Sequence, residues 1–257
     1  MIENTKSPLM HDRLAAFLKV FPLTAVAVTD GADTCAAHLF ILGDTGVPSA
    51  KEIFFVARGE VVLAAAQARL ILAAQIDFGG EANPLVGTLP DKLFFSLEKK
   101  PLLRGIADLL VAEMATAHCG GMSVQNRLCE ILVVMAVRQA ISDGTIYAGL
   151  LAGLSHPTLY RALIAVHDRP TNAWRVDELA QIAEMSRTQF IVQFEKVVGQ
   201  TPGAYLTSWR LALGRHKLTL GLSVKETAYA VGFGSASAFS RAFARFFGYS
   251  PTCVSSR

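Results

Sequence analysis

"GFGSASAFSRAFARFFGYSP", Gly232 to Pro251, is the stretch that decides how the C-terminal part of this 257-residue chain folds. It holds five phenylalanines, two arginines and no carboxylate, and small residues crowd its first half. Phe239 and Phe243 stand at i and i+4, on one side of a helix. Ser235 ahead of them suits an N-cap, and Gly248 behind them suits a C-terminal stop. The rings anchor the helix from behind. Its other face is then Ser235, Ser237, Ser240, Arg241 and Ala244, with Arg245 beside Ala244.

A phenylalanine pair near Gly and Pro is common in ordinary helical cores, so one such segment says little about function. This one is duplicated. VDELAQIAEMSRTQFIVQFEKVVGQTP (Val176–Pro202) repeats as VKETAYAVGFGSASAFSRAFARFFGYSP (Val224–Pro251). Val176 and Ala180 lie 48 residues before Val224 and Ala228; Phe190, Phe194, Gly199 and Pro202 lie 49 before Phe239, Phe243, Gly248 and Pro251. One insertion near Gly234 reconciles the offsets. Each copy reads helix, tight turn, helix. Ala180 or Ala228 is small enough for a close crossing. Met185 or Phe233 plugs the turn, and Ser186 or Ser235 caps the second helix.

Two second helices with open faces suit insertion into DNA major grooves. In the second copy Arg241 can reach base edges or phosphates, and the serines can bond either. In the first copy the face is Ser186, Arg187, Thr188, Ile191, Val192 and Glu195. It is more apolar, so Ile191 or Val192 is expected on thymine methyls, Arg187 on base or backbone, and Glu195 in solvent. Thr201–Pro202 starts the connecting helix AYLTSWRLALGRHKL, roughly 25 Å long. That strut could hold two helices about one duplex turn apart. Arg210, Arg215 and Lys217 on it are candidate phosphate contacts.

Charge agrees. The net charge is +3, but residues 160–257 carry 12 Lys/Arg against 6 Asp/Glu, whereas residues 1–159 carry 12 against 15. A basic back half can meet a polyanion.

The front half differs. TAVAV, HLFIL, EIFFVA, EVVLAA, RLILAA and KLFFSL read as short strands between turn formers, a small sandwich or barrel. The Ala-rich stretch 64–74 is open between strand and helix. From Pro101 the period becomes 3.6, giving helices over 102–117 and, capped by Ser123, to about Ala140. Gly120–Gly121 separates them, so they fold back as a pair that covers the strands or forms a dimer face. Residues 142–156 are Gly/Ser-rich. The expected domains are 1–98 (β), 99–145 (helical hairpin), 146–156 (linker) and 157–257 (helical).

"MSRTQF", "VGQTPGAYLTSWRL" and "AFSRAFARFFGYSP" resemble the double helix-turn-helix DNA-binding domain of AraC/XylS-type transcription regulators, over roughly the last 100 residues. "IDFGGEANPLVGTLPD", "LLRGIADLLVAE" and "LLAGLSHPTLYRAL" resemble the cupin-like sensor domain of one branch of that family. The resemblance implies an α+β chain: a small β-rich cupin-like domain with a helical hairpin, then an all-α domain of two helix-turn-helix units on a linker helix. It implies binding to asymmetric sites in double-stranded promoter DNA and contact with RNA polymerase. A small-molecule effector in the front domain, and a homodimer through the helical pair, are separate expectations drawn from the residues of that half. The strand region before Ile76 departs from the pattern.

Other chemistry is thinly supported. A metal-dependent cupin needs several histidines, and His38 is the sole one between residues 12 and 117. No Walker or GxGxxG pattern occurs. No cofactor is expected, and the chain reads as a regulator rather than an enzyme. A cupin-like enzyme with an accessory helical domain is the alternative. A thiol sensor is a further reading: Cys35 lies three residues from His38, and Cys119 follows His118. Cys129 in an apolar helix is expected to be inert. The four cysteines lack CxxC spacing, MIENTKSPLMHDR has no export pattern, and Val61–Phe78 carries Gln67, Arg69 and Gln75. A cytoplasmic protein without a membrane segment is expected.

Overall fold

Leu39–Leu42 are apolar at every position, the mark of a strand buried on both faces. The computed structural model, which describes residues 13–28, 38–44, 49–58, 69–79, 83, 86–116, 118–144, 146 and 148–254, places them at the centre of a sheet. The strands are β1 (Thr24–Val28), β2 (Leu39–Gly43), β3 (Ala50–Val56), β4 (Arg69–Asp77) and β5 (Lys92–Ser96). All pair antiparallel in the order β1-β4-β2-β3-β5.

Register keeps side chains of one kind on one face. Phe40 is opposite Phe54 and Ala73, while Leu39 is opposite Phe55 and Ala74. Phe40, Leu42, Val56 and Ala73 form one buried cluster. On the edge strands the alternation is visible: Ala25, Ala27, Leu93 and Phe95 are buried, whereas Val26 and Phe94 are more than half exposed. The open Ala-rich stretch resolves in part. From Arg69 onward it is strand β4, because Leu70–Ala74 pairs with β2 on one side and Ala73–Asp77 with β1 on the other. The expected strand EVVLAA, residues 60–65, lies outside the described residues. Among the described residues the strands make one five-stranded sheet rather than a closed barrel.

Helices α2 (Pro101–Ala115) and α3 (Gly121–Ser142) pack on each other and against β1, β3 and β5. Asn126 Oδ1 on α3 accepts the edge N–H of Ala27 at 2.9 Å. Ser123 is not the cap of α3. Gly120, at φ +81°, turns the chain directly into the helix, so Ser123 falls inside the first turn and is exposed.

The Gly/Ser-rich stretch expected as a linker over 146–156 contains a helix, α4 (Leu150–Ser155). Leu150, Leu151 and Leu154 are buried and α4 packs on α3, so burial of three leucines outweighs the flexible composition.

The chain divides into two units: Phe21–Ser155, and Met1–Val20 together with His156–Arg257. The short helix α1 (Ala15–Val20), at the front of the expected β domain, thus groups with the C-terminal residues. Phe17 explains this. It is fully buried and meets the rings of His167 and Trp209, each at 4.6 Å.

The C-terminal unit continues with α5 (Leu159–Asp168), α6 (Val176–Ile182), α7 (Arg187–Val198), α8 (Pro202–Thr219), α9 (Val224–Ala230) and α10 (Ala236–Phe247). Helices α6 and α7 pack together, as do α9 and α10, and α8 touches members of both pairs.

Candidate nucleic-acid interface

The duplication is preserved down to single hydrogen bonds. Met185 N donates to Ala180 O at 2.9 Å, and Phe233 N donates to Ala228 O at 2.8 Å. Both turns pass through a left-handed residue, Glu184 at φ +56° and Gly232 at φ +91°. Ser186 Oγ accepts from Gln189 N, and Ser235 Oγ accepts from Ala238 N. Both second helices end on left-handed glycines, Gly199 and Gly248. Capping residues satisfy orphan N–H groups at matching places, so the chain starts and stops both helices alike.

The rings do what their spacing predicts. Phe190, Phe194, Phe239 and Phe243 are buried, as are Ala180 and Ala228 where the first helices cross. Phe194 meets Tyr205 of α8 at 5.7 Å, and Phe239 and Phe243 lie 5.4 Å apart. Beneath them Tyr205 and His167 share a buried hydrogen bond. Burial pushes the imidazole down to about 3 and the phenol up.

On α10 the exposed residues Ser237, Arg241, Ala244 and Arg245 stand at i, i+4, i+7 and i+8, one continuous face. Arg241 and Arg245 have no hydrogen bond or ion pair among the described residues, so both guanidinium groups are available. Ser240 is half-buried at the border of this face, and Ser235 is engaged in its cap.

On α7 the corresponding face is Thr188, Val192, Glu195 and Lys196. Val192, 58% exposed, occupies the place of Arg241, and Lys196 that of Arg245. Glu195 faces solvent. Ile191 is half-buried, which leaves Val192 as the apolar group on the surface. Arg187 lies 3.6 Å from Asp177 of α6, an exposed pair that competes weakly with other anions. Ser186 is exposed and holds Gln189 through a hydroxyl–amide bond of 2.9 Å. Lys196 does not stand out in the sequence by itself; the 49-residue offset that pairs it with Arg245 is the signal that finds it.

The strut residues diverge. Helix α8 has 18 residues, about 27 Å of rise. Arg215 lies over the Phe247 ring at 5.5 Å, and Lys217 is half-buried without an ionic partner among the described residues. Arg210, expected on a phosphate, turns inward instead: Nε donates to Pro170 O at 2.7 Å and Nη2 to Asn172 O at 2.9 Å. Carbonyl oxygens satisfy a guanidinium as phosphate oxygens would, and here they are already in place.

The sensor candidates of the front unit do not gather. Cys35 lies outside the described residues. His38 Nδ1 accepts from Ile76 N at 3.1 Å, and burial lowers its pKa against a smaller opposing effect of Asp77. It lines an open groove of about 440 Å³ with Thr24, Val26, Gln75, Ile76 and Asp77. Cys119 is exposed next to His118, whose ring lies near Thr116 and Glu113. Cys129 is buried and its thiol is pushed up to about 12, which suppresses the thiolate. Among the described residues no group of three His, Cys, Asp or Glu could hold a metal ion. Among them too, no helix is long and apolar enough to cross a membrane.

Comparison with known proteins gives the same two parts. A helix-turn-helix domain model matches residues 179–257, and a cupin model matches residues 24–142. The chain is similar to the HTH-type transcriptional regulator AlkR of Acinetobacter baylyi, with 38% identity over 174 residues, 66% of this chain and 57% of that protein. It is similar to the RCS-specific HTH-type transcriptional activator RclR of Escherichia coli K12, with 33% identity over 66% of this chain and 62% of that protein. A Streptomyces lividans protein described as an AraC-like transcription regulator is 41% identical over 50% of this chain and 43% of its own length. The matches thus span about half the length of these relatives.

Proposed function

From the premise that this chain belongs to the AraC type, with an AraC-type helix-turn-helix domain behind a cupin-type domain, we propose that it binds specific double-stranded promoter DNA and regulates transcription. The observation that carries the reading is the face Ser237, Arg241, Ala244 and Arg245. It is exposed, basic, free of carboxylate and backed by buried rings. Its small residues let a helix approach base edges closely, and Arg241 can bond both acceptors of a guanine. On α7, Val192 offers a methyl-bearing surface at the same helical position, suited to thymine. Two unlike faces in one chain suit an asymmetric site. Ser186, Thr188, Lys196, Arg215 and Lys217 are the accompanying backbone contacts, and Arg187 joins them when it leaves Asp177.

The sheet unit is read as a sensor for a small-molecule effector, not as an enzyme. The three relatives above are regulators by name, which supports a non-catalytic role. A homodimer, contact with RNA polymerase and residence in the cytoplasm complete the reading. The test is selection of duplexes from a random-sequence library by the full chain, followed by footprinting. An asymmetric site protected over two successive major grooves is expected. Failure to enrich any sequence, with affinity insensitive to salt, overturns the DNA-binding reading.

A further inference from the structure

The ninth residue of the 18-residue helix α8 carries a contact that neither exposed face uses. Arg210 holds the carbonyls of Pro170 and Asn172, 40 and 38 residues upstream in the loop that enters α6. On its other side lies the turn of the second unit. A β-carbon on Gly232 would stand 2.8 Å from Thr171 Cα and 3.1 Å from Arg210 Cζ. The entry loop of the first unit, the middle of the strut and the turn of the second unit therefore meet at one point. A glycine is needed there for both its φ and its lack of a side chain.

The first unit grips α8 at Tyr205, through Phe194. The second grips it at Gly214, through Phe239. These grips are nine residues apart, on the order of 14 Å along the helix. Each alone would let its unit rock about the α8 axis. A charge-assisted pair of hydrogen bonds midway between them opposes that motion.

We propose that Arg210 is a positioning residue that sets the spacing between the two DNA half-sites, by locking residues 170–172 against Gly232. This rests on the DNA-binding reading above. Recognition helices in successive major grooves must stand about 34 Å apart, and one added base pair shifts the second half-site by about 3.4 Å and turns it by about 34°. A locked pair tolerates such a shift poorly; a loosened pair tolerates it better.

The experiment uses the full chain and its library-selected duplex, with one base pair inserted or removed between the half-sites. Wild type is expected to prefer the selected spacing at least tenfold. Arg210→Met is expected to cut that preference threefold or more at unchanged salt dependence, and Arg210→Lys to lie between, since one ammonium replaces a fork. An equal loss on every spacing overturns the proposal. So does a fall of about one in the slope of log affinity against log salt, which marks a phosphate contact. A second measurement does not depend on DNA. Spin labels at Gln181→Cys and Tyr229→Cys, equivalent places on α6 and α9, are read in a chain with its native cysteines changed to serine. Arg210→Met is expected to broaden the distance distribution. An unchanged distribution in a fully folded variant overturns the role of Arg210, whereas failure to select any duplex overturns the DNA reading alone.

Discussion

A β-carbon on Gly214 would lie 2.6 Å from Cε2 of Phe239, so α8 and α10 touch with no room for a side chain between them. The ring is fully buried and has Phe233 and Phe243 beside it, each at 5.4 Å, so it has little room to yield. Gly214→Ala gains helix propensity of about 1 kcal/mol. Overpacking costs about 1–3 kcal/mol and is expected to dominate. Gly203 on the same helix meets nothing within 4 Å of such a carbon. Gly203→Ala is therefore expected to be neutral or stabilising. Urea unfolding of the two variants checks the contrast; equal midpoints would show that the ring moves aside.

The two turns are a natural pair for testing backbone strain. Glu184 is the sole non-glycine residue at positive φ among the described residues, in the place where the second unit has Gly232. A left-handed backbone costs an ordinary side chain roughly 1–2 kcal/mol. Glu184→Gly removes that cost, adds chain entropy to the unfolded state, and loses an exposed pair with Arg161 that contributes little. A gain of less than about 1 kcal/mol is expected. Gly232→Ala acquires both strain and the contact with Thr171, and a loss of about 1–3 kcal/mol is expected. Denaturation curves would contradict this account if the two changes had the same sign.

What was legible in the sequence was local. Caps, turns and i, i+4 rings lie within a few residues of each other, so both helix pairs and most of the faces on α7 and α10 could be read directly. The strands were legible where apolar runs met turn formers, as at Leu39–Gly43. The inward turn of Arg210 is not legible locally because its partners stand 38 and 40 residues away, and composition makes a basic residue on a strut look like a phosphate contact. Phe17 gave no sign of its place beside His167, since a short apolar helix does not name its partner. Leu150–Ser155 reads as linker because the glycines and serines of residues 142–156 surround three leucines whose burial, a long-range property, is what makes the helix.

His167 ties stability to pH. Its folded-state value, about 3, lies below the ordinary 6.5 because burial disfavours the imidazolium. Below pH 6.5 the unfolded chain therefore binds a proton that the folded chain does not. Stability from this group is fully present above pH 6.5 and is lost as pH falls from 6.5 toward 3, by up to about 1.4 kcal/mol per pH unit. His167→Gln can still bond Tyr205 and does not titrate. Urea midpoints measured at pH 7, 6 and 5 are expected to fall more steeply for wild type than for His167→Gln. Parallel slopes would mean that the imidazole is solvated in the folded state.

The base-reading and backbone-holding roles proposed for residues on α7 and α10 are separable by mutation. Arg241 and Val192 occupy the same position on α10 and α7, and Arg245 and Lys196 share the next outward position. If Arg241 spans a guanine edge, Arg241→Ala costs about 1–3 kcal/mol on the selected site and relaxes the base preference at one position only. Val192→Ala is expected to weaken preference for thymine at the corresponding position of the other half-site. Arg245→Ala and Lys196→Ala are expected to weaken every sequence alike and to lower the salt slope by about 0.9 each, one released counterion per phosphate. Binding titrations at several salt concentrations on the selected duplex and its single-base variants distinguish the two patterns. If Arg245→Ala changed base preference while Arg241→Ala changed only the salt slope, α10 would enter the groove rotated about 40° from the face centred on Arg241, the angle between those two positions on a helix.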